Sequence, residues 1–145
     1  MSRVPSGTPR TPGGHEFFNP ESLGPPVGFS HAVLAAPGRV AFLAGQIAHG
    51  PPESLAVMGV VEQFAGAALA LATALEASGG RREDLMWVQI FVTDVAAYQD
   101  ALKEIGAAWR DVFGRHYPAM GLFGVIGLFV PEAKVELMGI AVIPS

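Results

Sequence analysis

The 145-residue chain has no cysteine. Disulfides, thiolate nucleophiles and cysteine-ligated zinc are thereby excluded, and a thiol-free chain fits a cytoplasmic location. Charge is also sparse, at 15% of residues, with nine Lys and Arg against thirteen Asp and Glu for a net charge of −4. No basic cluster exceeds Arg81-Arg82, which is too little to track a phosphate backbone, so no nucleic-acid partner is expected. The four histidines, His15, His31, His49 and His116, form neither an HxH nor an HxxxH pattern. No metal site is expected from them, and none stands at a recognisable spacing to make Ser30 a nucleophile. Uncharged apolar stretches stop at about 12 residues, where a bilayer-spanning helix needs about 20, so no membrane partner is expected. The first residues lack a basic-then-apolar signal pattern.

Apolar residues are abundant, at half of the chain. That suffices for one domain with a sizeable core. Together with the scarcity of charge, it predicts that some apolar surface is buried between copies of the chain. Residues 1–26 hold six of the twelve prolines, among Gly, Ser and Thr, and read as a flexible tail ahead of a single domain over 27–145.

Residues 29–35 and 40–44 read as two strands joined at Pro37-Gly38, a hairpin. Over 60–78 the apolar residues recur at helical spacing, from Val60 and Phe64 to Leu71 and Leu75, and Gly79-Gly80 ends the helix. LMWVQIFV, Leu85–Val92, is a third strand. Thr93-Asp94 then caps a second helix over 95–113, with Tyr98, Leu102, Ile105, Trp109 and Val112 along one side. Two apolar runs follow, 119–130 and 135–143, joined by Pro131-Glu132-Ala133-Lys134 and read as an antiparallel pair. Three glycines in the first run, Gly121, Gly124 and Gly127, mark close approach of another group. The order β-β-α-β-α-β-β predicts an α+β two-layer sandwich, a mixed sheet with both helices on one face. Its other face is apolar yet bare in a single copy, which predicts a closed homo-oligomer packed through the sheets.

Six stretches in this order resemble the RidA/YjgF family of enamine/imine deaminases: GPPVGFSHAV (24–33), FLAGQIA (42–48), LEASGG (75–80), VQIFVTDVAAY (88–98), FGRHYPAM (113–120) and VELMGIAVIP (135–144). The resemblance implies a chorismate-mutase-like fold, a homotrimer with sites in the clefts between subunits, and no metal or organic cofactor. It implies hydrolysis of a small-molecule imine to ammonia and a 2-keto acid. By the same resemblance Glu136 is the catalytic residue, positioning the attacking water. Phe29, Ser30, Gly45, Gln46, Met120 and Leu122 would contact substrate. Three positions depart from the family pattern: Phe29 stands where tyrosine is usual, Ala44 where serine is usual, and Met120 where an arginine grips the substrate carboxylate.

Residue chemistry bears on each candidate. A carboxylate among apolar groups loses hydration of its charged form, which suits it to proton transfer; alternatively Glu136 points to solvent beside Lys134. A thioether at 120 cannot make the paired charge-assisted hydrogen bonds of a guanidinium, so a standard 2-imino acid would be held weakly; alternatively Met120 is core filler. Gly45-Gln46 either offers backbone groups to a ligand or is a plain turn, and Arg39, Arg110 or Arg115 would be the substitutes for the missing arginine. Two functions stay open: a deaminase-type hydrolase of a reactive imine or enamine, and a trimeric binding module without chemistry.

Overall fold

A computed structural model describes residues 9–145. In chain order the elements are β1 (Glu16–Phe18), a short 3-10 turn at Glu21–Leu23, β2 (Ala32–Leu34), β3 (Gly38–Gln46), α1 (Pro52–Val57), α2 (Val60–Ala77), a second 3-10 turn at Arg82–Asp84, β4 (Leu85–Val92), α3 (Val95–Asp100), α4 (Leu102–Phe113), β5 (Ala119–Gly124) and β6 (Val135–Pro144). The fold is α+β in two layers. Four strands in the order β3-β6-β4-β5 make a mixed sheet, and α2 and α4 lie on one of its faces.

The core lies between these layers. Phe64, Leu71 and Leu75 of α2 and Ile105 and Trp109 of α4 pack on Leu43, Val88, Ile90, Leu137 and Ala141 of the sheet. Alanines at 67, 68 and 72 are fully buried, and their small side chains let α2 settle close to the strands. By length and composition α2 would also suit a bilayer; here its apolar side is covered by the sheet and α4. Gly79, at φ +95°, turns the chain out of α2 as expected, and the Asp94 side chain accepts the Ala97 N–H at 3.0 Å to start α3.

Strand pairing differs from the expectation in two places. Residues 119–130 and 135–143 are not neighbours: β5 pairs in parallel with β4, and β6 runs antiparallel between β3 and β4. The linker is long enough for this because the first strand stops at Gly124, and residues 125–134 form a loop with Ile126 and Phe129 fully exposed. Nor do residues 29–35 form a hairpin with 40–44. The strand there is only Ala32–Leu34, and it pairs with β1 in a separate two-stranded sheet.

That pairing also corrects the flexible tail. Residues 1–8 lie outside the described residues, but 9–26 are anchored. His15 is fully buried: its Nε2 donates to Asp84 Oδ1 at 3.0 Å, and its Nδ1 accepts the Ala36 N–H at 3.0 Å. Accepting at Nδ1 fixes the neutral tautomer with the proton on Nε2. Asp84 also accepts the Arg81 N–H, at 2.8 Å, so one carboxylate serves both ends of the contact.

The second helix is broken at Ala101. Tyr98, Ile105 and Trp109 are buried as expected, but Leu102 is left 56% exposed.

Candidate functional site

The sheet face turned away from the helices carries Val40 and Phe42 of β3, Trp87 and Phe91 of β4, Phe123 of β5 and Met138 of β6, and several of these are well exposed. Glu136 projects from the central strand β6 onto this face. Its neighbour on one side is Phe91, its register partner on β4, whose ring stacks on Phe123 at 5.7 Å and 28°. On the other side β3 bulges between Leu43 and Gln46. A side chain at Gly45 would place its Cβ only 2.6 Å from Glu136 Oε1, so the absence of one is what gives the carboxylate its place.

Glu136 is half-buried, and among the described residues no ion pair or hydrogen bond engages its carboxylate. Lys134 does not pair with it. The Lys134 Nζ donates to the carbonyls of Ala56, at 3.4 Å, and Met58, and its N–H donates to Gln63 Oε1 at 2.7 Å. Gln63, fully buried, donates in turn to Leu55 O and Glu132 O, at 2.9 and 3.1 Å. One amide thus joins α1 and α2 to the start of β6 and turns Lys134 away from Glu136.

Met120 lies on the other side of the sheet. It is the register partner of Val88 and packs against the core from β5. Beside it a cavity of about 780 Å³ opens between α4 and the segment before β2, lined by Phe29, Ser30, Tyr98, Trp109, Arg110 and Met120 among others. Burial pushes the Tyr98 phenol up to about 12, so it stays protonated. The Ser30 hydroxyl donates to Tyr117 O at 2.6 Å, and its N–H donates to Pro118 O at 3.1 Å. These bonds hold the loop carrying Phe29 against the start of β5.

Five of the seven expected site residues therefore fall into two groups. Glu136 and Gly45 meet on the open face; Phe29, Ser30 and Met120 meet around the cavity on the helix face. Gln46 and Leu122 join neither. The Gln46 amide donates to Ala44 O on its own strand at 3.3 Å, and Leu122 pairs with Ile90 at the rim of the sheet, outside the cavity lining. Within the chain the two groups are separated by the sheet.

Sequence reading passed over Phe91 and Phe123 as site residues, because neighbours across three strands leave no local spacing. It also passed over Lys103, and named Arg110 without a place. Both line the cavity from α4. His31 bonds to Gly24 O and His116 to Leu85 O, at 3.0 and 2.6 Å. Among the described residues no three His, Asp or Glu side chains converge as a metal-ligand group.

The sequence model of the family described as endoribonuclease L-PSP matches residues 20–143. The chain belongs to this family, known also as YjgF/RidA. Among solved structures, a conserved Rid-family protein of unknown function, YyfB from Yersinia pestis, is 28% identical with a TM-score of 0.76, over 89% of this chain and 98% of that one. A putative endoribonuclease from Thermotoga maritima is 28% identical with a TM-score of 0.61, over 88% and 93%. A protein of unknown function from Pseudomonas aeruginosa is 27% identical with a TM-score of 0.63, over 82% and 84%. Among curated proteins none matches.

Proposed function

We propose that this YjgF/RidA-family protein is a hydrolase of a reactive imine or enamine, with its site completed between subunits of a homotrimer. The supporting observation is the Glu136 carboxylate, seated over Gly45 without an ion-pair partner on an apolar sheet face. A second copy covering that face would remove water from around the acid. The same packing offers a way to bring the Phe29–Met120 group of one protomer to the Glu136–Gly45 group of another, which no single protomer does.

In this reading Glu136 holds a water and takes its proton as the oxygen attacks the C=N carbon. That proton passes to the nitrogen to give the amino alcohol, whose hydroxyl proton then moves to the nitrogen as the C–N bond breaks, releasing ammonia and leaving a carbonyl. One water is consumed per ammonia formed, and no cofactor enters. The family description names an endoribonuclease. RNA cleavage is the weaker reading here, since three of the four histidine rings are already bonded to protein groups and the chain is net acidic.

Imines generated in situ by an amino-acid oxidase provide the test, with ammonia release measured above the spontaneous rate. The chain should accelerate hydrolysis, only weakly for 2-aminoacrylate and 2-iminobutanoate, because Met120 offers no guanidinium to a short substrate. Glu136→Gln should lower the rate on the order of 100-fold, the usual weight of a positioned acid–base group. A Glu136→Gln protein as fast as wild type would refute the assignment. Ligand binding without acceleration by wild type would favour the non-catalytic module.

A further inference from the structure

The cavity beside Met120 has a feature that its apolar walls do not require. Phe29, Phe64, Ile90, Trp109 and Met120 are among its lining residues, yet Lys103 and Arg110 of α4 line it too. The two are seven residues apart, so they share one side of the helix. Gly106 lies between them, and a Cβ there would come within 3.3 Å of Arg110 Nη1, so the guanidinium folds back across the bare helix surface at the mouth. Among the described residues no acid pairs with either cation; Arg10, Arg81 and Arg82, by contrast, all have carboxylate partners.

We propose that this cavity binds a carboxylate carrying an aromatic or large branched apolar body, with the body against Phe29, Trp109 and Met120 and the carboxylate on Arg110, supported by Lys103. A planar guanidinium matches a carboxylate through two parallel hydrogen bonds, which an ammonium alone does not. Arg110 thus supplies from α4 the charge that Met120 withholds on β5. The geometry also sets a length requirement: the group on Arg110 must be joined to a body deep enough to fill the pocket. Short 2-imino acids fail that requirement and long apolar ones meet it. That the occupant is the substrate rests on the hydrolase reading; that the cavity takes such an anion does not.

Calorimetric titration of the whole protein with 3-phenylpropanoate and with 3-phenylpropan-1-ol separates the charge from the body. The acid should bind about fivefold to tenfold more tightly than the alcohol, the range for a partly exposed charge-assisted contact. Arg110→Ala should bring the two to near parity without changing the alcohol, and Arg110→Lys should restore part of the difference. Arg110 is exposed, so its loss leaves the fold intact. Equal affinity of acid and alcohol for wild type, or an acid preference that survives Arg110→Ala, would overturn the proposal. Ammonia release in Glu136→Gln and anion preference in Arg110→Ala are separate readouts, so failure of the hydrolase reading and failure of this proposal are distinguishable.

Discussion

Gly45 is the residue on which the candidate acid most directly depends. Its missing Cβ would lie 2.6 Å from Glu136 Oε1, against a side-chain end that is free to move. Gly45→Ala should therefore cost little stability and displace the carboxylate. A misplacement on the order of 1 Å is worth about 100-fold in rate when the group must meet a water and a C=N carbon together. Measured ammonia release should fall by about that factor while the thermal midpoint stays close to wild type. A rate that survives Gly45→Ala would detach Glu136 from the chemistry. Gly121 shows the same principle with a structural outcome: its bare Cα accommodates the Phe123 ring, which a Cβ would approach to 3.0 Å.

Among the elements, helices were far more legible than strand partners. Capping by Asp94, the exit at Gly79 and the apolar stripe of α2 depend on residues within a few positions of one another, and all stand as read. Partners in a sheet are chosen across the whole chain. The apolar run after Ala119 could not disclose that β6 passes it by to lie between β3 and β4. His15 was opaque for the same reason: in a Pro- and Gly-rich segment nothing local marks a histidine whose partners are Ala36 and Asp84. The candidate site followed the same rule. Its residues could be named one at a time, but not sorted onto the two faces of the sheet. His116 carries the consequence of such long-range burial into pH dependence. It joins the segment before β5 to the start of β4 through the Leu85 carbonyl, and desolvation holds its pKa below the ordinary 6.5 despite that bond and the nearby Glu83. Below pH 6.5 the unfolded chain takes up a proton that the folded protein resists. This contribution to stability is complete above 6.5 and declines as pH falls toward the lower folded value, by at most about 1.4 kcal/mol per pH unit. Urea unfolding between about pH 7.5 and 5 should show the decline. His116→Gln should be less stable at neutral pH and flatten the slope; an unchanged slope would clear His116 of the effect.

For the whole molecule, the proposed trimer rests on the open sheet face. Phe42 is 80% exposed and Val40 55%, on the same sheet face as Trp87, Phe123 and Met138. Apolar residues this exposed on one face of a protein with so few charges support the proposed association through it. Sedimentation should find three times the 15.1 kDa protomer mass. Phe42→Asp, a charge placed where no partner awaits it, should shift the particle toward smaller species while leaving circular dichroism unchanged. Since the proposed site needs two copies, ammonia release by this variant should rise more steeply than in proportion to protein concentration. A fully active monomer would exclude a site shared between chains.

The central position of β6 bears on how the protein is made. A nascent chain halted at Lys134 would already possess all four helices and every other strand of the main sheet, yet β3 would have no neighbour there, and β4 would offer a bare edge. Until the ribosome delivers the next ten residues, that edge is open to any extended peptide that comes near. Synthesis that pauses late in the message should therefore yield aggregates rather than a smaller soluble domain.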